Sequence, residues 1–154
     1  MKDILERLAG LSLELPVCPA PLAAYVPAKR FGNVIYVSGQ LPSRNGALPH
    51  GVVGAEISEV EARAAAAACF LNGLSAAATV LEEGETLELL QLQGFVQAAP
   101  GYENHAAVLN GASELALKLL GERGRHARAA VGVASLPKGV PVEISLVFAA
   151  VREA

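Results

Sequence analysis

The chain has 154 residues, 53% hydrophobic and 18% charged, with 15 acidic against 12 basic side chains for a net charge of −3. That length suits one domain, 1–154, with a sizeable core. An acidic balance with no Trp and 5% aromatics weighs against binding phosphate backbones or stacking bases, so nucleic acid is not an expected partner.

Mean hydropathy of +0.40 with so few charges leaves too little polar surface for a lone sphere, which points to self-association. Arg63, Asn72 and Thr79 interrupt the alanine-rich stretch, and MKDILERL is not signal-like. The expectation is a soluble, cytoplasmic protein without membrane contact.

In chain order, residues 3–9 form a short helix, and LELPVCPAPLAAYVPAK runs extended because each proline biases its predecessor away from helix. Residues 1–24 thus make an N-terminal helix and arm. NVIYVSGQLP is a strand that ends where Gly39 permits unusual backbone angles. After the loop SRNGALPHG, Ser58 and Glu61 have the spacing of a reciprocal helix cap, predicting a helix over 59–81. EEGE breaks it. LELLQLQGFVQAA is a strand with Glu88 on one parity and Gln91 and Gln93 on the other. A helix over 105–120 stops at Gly121 and Gly124, and strands 127–135 and 140–151 close the chain, joined by LPKG. Strand, helix, strand, helix, strand, strand predicts an α+β fold: a sheet with two helices packed on one face, its other face, rich in Ala, Gly and Val, left for another subunit.

Two charges interrupt the closing strands. By alternation Arg128 shares a side with Ala130, Gly132 and Ala134, so a guanidinium points over a floor of small residues, a setting suited to gripping a carboxylate through two parallel N–H···O bonds. In the last strand Val142, Ile144, Leu146 and Phe148 form an apolar face and put Glu143 opposite. Folding back across LPKG brings Glu143 toward the same end of the sheet as Arg128. Two readings stay open: an ion pair stapling adjacent strands, or a site. His126 shares parity with Arg128 and is able to exchange protons near neutrality. Cys18 and Cys69 sit in no C-x-x-C pattern, and Cys69 in AAAACFLNGL reads as a small buried hydrophobe. His50 and His105 have no ligand-like spacing, and no metal is expected.

The run HARAAVGVASLPKGVPVEI, with YVSGQLP at 36–42, resembles the closing and strand-end motifs of the RidA family, also called the YjgF family, most closely a longer subgroup with an N-terminal extension and a G-R-H-A-R ending. The resemblance spans the chain from about Tyr25 onward. It implies a chorismate-mutase-like mixed sheet assembled as a homotrimer with three clefts between subunits. It also implies cofactor-free hydrolysis of reactive enamine and imine intermediates to 2-oxo acids and ammonia. Carried over, Arg128 grips the substrate carboxylate, Glu143 orients or activates water, and Gly39 lies near the ligand. Tyr25 in AAYVPA lines the cleft, Asn110 in VLNGA stands at its edge, and the backbone N–H of Ala130 serves the carboxylate. Each has a plainer rival: Tyr25 anchors the arm, Gly39 turns a strand end, Asn110 is a solvent-facing helix residue. Where the family commonly has hydroxyl or thiol residues after the arginine, this chain has Ala129 and Ala130. That departure keeps a second class in view, a small-carboxylate-binding or regulatory module without turnover. An endoribonuclease or translation-inhibitor role fits the acidic chain poorly.

Overall fold

The computed structural model describes residues 1–18 and 23–152; residues 19–22 of the expected arm lie outside them. Strands β1 (Ala28–Phe31), β2 (Val34–Gln40), β3 (Glu85–Gln97), β4 (Ala127–Val133) and β5 (Val142–Arg152) form a sheet in the order β1-β2-β5-β3-β4. Helices α1 (Lys2–Gly10), α2 (Glu59–Ala78) and α3 (His105–Leu120) complete a mixed α+β fold. β3 pairs parallel with β4; the other pairings are antiparallel.

α2 starts where the capping residues require. The Glu61 backbone N–H donates to Ser58 Oγ at 3.3 Å, and the Ser58 N–H donates to Glu61 Oε2 at 2.9 Å, satisfying two donors the first turn cannot. The helix ends at Ala78, three residues short of the expected Leu81. Its buried side includes Ala62, Ala66, Cys69, Phe70 and Leu74, and with Val108, Leu109, Ala112 and Leu119 of α3 it covers Ile35, Val37, Leu92, Ile144, Leu146 and Phe148 of the sheet. Small residues set the spacing. A methyl on Gly73 would overlap Leu146, and one on Gly111 would overlap the backbone carbonyl of Arg63, so α2 sits close to β5 and to α3 only because those positions lack side chains. α1 buries Ile4 and Leu8, and Asp3 pairs with Arg123 at 2.6 Å.

Three features depart from the sequence reading. β1, not expected as a strand and overlapping only the last two residues of the expected extended stretch, is an edge strand joined to β2 through Gly32 (φ 60°) and Asn33. Its Arg30 donates to both Glu85 oxygens, at 2.6 and 2.9 Å, and with the Glu82 N–H holds that carboxyl at about 2. The irregularity at Leu90 puts two residues of β3 against one step of β5, so Glu88, opposite Ala149, and Gln91, opposite Val147, share a face despite their odd spacing.

The third is a correction. β4 and β5 are not a hairpin, because β3 lies between them. The LPKG segment crosses the end of β3, where the Gln97 side chain accepts from the Leu136 N–H at 2.8 Å and the Gln97 N–H donates to Pro141 O at 2.9 Å. No helix among the described residues is long and apolar enough to cross a membrane.

Candidate functional site

Arg128 stands on β4, at the edge of the sheet, in register with buried Leu92 and therefore on the helix-covered face. Its Nη1 donates to Asn110 Oδ1 at 2.8 Å and to Ser113 Oγ at 3.1 Å. Both acceptors come from α3, three residues apart and so on one side of that helix. Ser113 Oγ lies 3.0 Å from His126 Nε2, and His126 Nδ1 lies 2.7 Å from the Gly124 carbonyl. Among the described residues no carboxylate pairs with Arg128. Its two Nη1 hydrogens are used, the residue is exposed, and among the described residues no hydrogen bond engages the Nε–Nη2 edge, a flat two-donor fork.

Why α3 reaches Arg128 is legible in two glycines. A methyl on Gly94 would overlap Leu109, and one on Gly132 would overlap the His105 ring. The helix thus presses onto β3 through Leu109, next to Asn110, and onto β4 through His105, five residues before it. Over the small-residue floor, His105, packed edge-on against Tyr102 with ring centroids 5.5 Å apart, stands against Gly132, which stays exposed. Ala130 is half-buried against the core.

Glu143 occupies the opposite face. Val142 and Ile144 point into the core and Glu143 pairs with Phe95, three positions along β3 from the partner of Arg128. Arg128 and Glu143 are therefore two strands apart across the sheet, roughly 10 Å apart along it, and directed to opposite sides. Neither the ion pair nor a convergent site forms within one chain. Between Val37 and Gln40 the β2–β5 register shifts, and this bulge sets Gly39 against Glu143. A methyl at Gly39 would overlap Glu143 Oε1, so the glycine is there to seat the carboxylate. Burial pushes the Glu143 carboxyl above its ordinary value.

Tyr25 is 44% exposed. The segment that carries it is held beside Gly39 by Ser38, whose Oγ donates to Val26 O at 2.8 Å and whose N–H donates to Pro27 O at 3.0 Å. One chain thus carries the expected site residues in two groups: Arg128 with Asn110 on one face, and Glu143 with Gly39 and the Tyr25 segment on the other. Ser113 was not singled out from sequence, although its three-residue spacing from Asn110 was a usable signal. Cys69 is buried, its thiol pushed well up by burial, and its Sγ contacts Val142 O, as a structural cysteine would. A hollow of about 700 Å³ between segment 12–17, loop 43–46 and α2 touches neither group.

Relatives carry the same architecture. The chain is 39% identical to Protein TCP17 of Trypanosoma cruzi over 144 residues, 92% of this chain and 90% of that one. The crystal structure of Atu1372, a protein of unknown function from Agrobacterium tumefaciens, matches with a TM-score of 0.86 at 40% identity over 96% of this chain and 92% of its own. A Shewanella oneidensis structure bearing a provisional endoribonuclease name matches with a TM-score of 0.89 at 29% identity over 95% and 98% of the two chains. Residues 16–151 match the family model described as Endoribonuclease L-PSP, and with the shared fold in view the chain belongs to that family, the YjgF/RidA family.

Proposed function

We propose that the protein hydrolyses small enamine or imine derivatives of amino acids to 2-oxo acids and ammonia, at clefts where Arg128 of one copy meets Glu143 of the next in a homotrimer. The observation that carries this reading is the pairing of an unneutralised guanidinium edge with a half-buried carboxyl on the other face of the sheet. The substrate carboxylate docks side-on to the Nε–Nη2 edge of Arg128 through two charge-assisted bonds. With the substrate as its iminium tautomer, Glu143 takes a proton from water as the oxygen adds to the C=N carbon and hands that proton to the carbinolamine nitrogen; as the C–N bond breaks and ammonia leaves, Glu143 takes the hydroxyl proton and passes it to solvent, leaving the C=O of the 2-oxo acid. A carboxyl raised above its ordinary value is a better proton carrier near neutrality than an exposed one. Gly39 leaves that carboxyl its seat, and Tyr25 and the Ala130 backbone flank the bound molecule.

Assembly is part of the proposal. The face opposite the helices carries Val131 at 46%, Tyr36 at 55% and Phe31 at 82% exposure, and β4 is an edge strand exposed over most of its length. Such a surface calls for cover, and a second copy supplies it.

The test is release of ammonia and 2-oxo acid from freshly generated 2-iminobutyrate. Wild type should accelerate it and Arg128→Ala should lose at least about a hundredfold in kcat/KM, as removal of a bidentate charge contact predicts. No acceleration over buffer, or full activity in Arg128→Ala, refutes the reading.

A second reading, a carboxylate-binding module without turnover, draws on Ala129 and Ala130, which leave β4 no hydroxyl beside Arg128. It expects 2-oxo acid binding that survives Glu143→Gln with no turnover in wild type. An RNA-cleaving role, suggested by the family's descriptive name, has no basic cluster behind it in a chain of net charge −3.

A further inference from the structure

We propose that Ser113 and His126 are positioning residues for Arg128, acting as a relay of fixed direction that turns the guanidinium edge outward before any ligand arrives. The proposal rests on the reading of Arg128 as the carboxylate grip.

The relay can be read atom by atom. The Gly124 carbonyl only accepts, so His126 Nδ1, 2.7 Å away, carries a hydrogen and donates it. In the neutral ring that leaves a lone pair on Nε2, which lies 3.0 Å from Ser113 Oγ and takes the hydroxyl hydrogen. The oxygen then faces Arg128 with its own lone pairs and accepts from Nη1 at 3.1 Å. Asn110 Oδ1 accepts the other Nη1 hydrogen at 2.8 Å. Two anchors on one nitrogen fix the last torsions of a side chain that is otherwise exposed on an edge strand.

The gain is preorganisation. An exposed arginine loses rotamer freedom when a ligand orders it, and that loss subtracts from affinity. Here the ordering precedes binding. Asn110 alone does not fix the plane, because one acceptor permits rotation about its own bond; Ser113 supplies the second point. His126 in turn keeps the Ser113 hydroxyl hydrogen away from Arg128, since a hydroxyl pointing its hydrogen at a guanidinium would repel it. The backbone carbonyl of Gly124 sits in the 3-10 turn Gly121–Gly124 between α3 and β4, so the relay is tied to the junction of the two elements it bridges.

The experiment has a ligand arm and a ligand-free arm. In the first, binding of 2-oxobutyrate and turnover of 2-iminobutyrate are measured for Ser113→Ala, Ser113→Thr, His126→Phe and the Ser113→Ala/His126→Phe pair. The expected result is about tenfold weaker binding for Ser113→Ala and for His126→Phe, in KM more than in kcat. Threonine keeps the hydroxyl and should stay within about twofold of wild type. The pair should be no worse than Ser113→Ala alone, because both changes break one chain; a merely structural role would make their costs add. Unchanged affinity in both single variants overturns the proposal, and so does an additive pair.

The second arm reads the histidine itself. In ¹⁵N-resolved imidazole spectra at mildly alkaline pH, His126 should be the Nδ1–H tautomer in wild type, Ser113→Thr and Ser113→Ala alike, because the Gly124 carbonyl fixes it, and Ser113→Ala should shift the Nε2 resonance, whose hydrogen-bond donor is lost. A wild-type Nε2–H tautomer overturns the relay whatever the ligand does. If wild type neither binds 2-oxobutyrate nor turns over the imine, it is the deaminase reading that falls, and the tautomer alone decides the relay.

Discussion

Glu143 shows how one residue sets function against stability. Its carboxyl is pushed up by burial, so the folded chain holds its proton more tightly than the unfolded chain does. Its contribution to stability is therefore unfavourable above the raised value and is relieved as pH falls through it. Glu143→Gln removes the charge while keeping the shape. The variant should be more stable than wild type near pH 8, by less than about 1 kcal/mol because the carboxyl keeps part of its hydration, and the gap should close toward about pH 4. Urea denaturation of both proteins at one protein concentration over that range checks it, and a variant less stable than wild type near pH 8 refutes it. The two charges themselves were visible in the sequence, since a charge among alternating apolar residues has to be explained. Ser113 was not singled out, because its partners His126 and Arg128 come from beyond the end of its own helix, and only its spacing from Asn110 hinted at a shared face.

At the scale of elements, side-chain absence governs how α3 is seated. Gly111 of α3 meets the carbonyl of Arg63 on α2, where the obstructing atom is backbone and cannot rotate away. Gly111→Ala should therefore cost roughly 1–3 kcal/mol and shift the helix that carries Asn110 and Ser113, weakening 2-oxo acid binding as well as lowering Tm. Gly10→Ala, where nothing lies within 4 Å, is the control and should melt like wild type. A Gly111→Ala protein that melts with the control would mean the two helices have slack at their crossing. Helix α2 was legible from Ser58 and Glu61 because capping is local chemistry. The closing strands were legible as strands but not as neighbours: LPKG is short enough for a hairpin, and only Gln97, a buried side chain on β3 far back in sequence, reveals that the turn spans another strand's end. Alternation likewise failed across Leu90, where one inserted residue reverses every parity that follows.

For the whole molecule, the arrangement of the two groups of site residues makes a prediction that a single-chain site cannot meet. Within one chain Arg128 and Glu143 point to opposite faces of the sheet, so the proposed cleft requires each from a different copy. Arg128→Ala and Glu143→Gln chains are each inactive as homotrimers on this reading. Co-expressed in equal amounts and assembled at random, they yield clefts that draw Arg128 from the Glu143→Gln chain and Glu143 from the Arg128→Ala chain in about one case in four. Turnover of 2-iminobutyrate should recover to about a quarter of the wild-type rate per cleft, and fall away when one chain is in large excess. Mixing the two separately purified and undissociated variants should restore nothing, which separates subunit exchange from contamination. Size-exclusion with light scattering gives the mass of the mixed assembly. Activity that stays at background in a verified mixed trimer would mean that both residues serve the same chain or neither serves catalysis, and the cleft between copies would have to be abandoned.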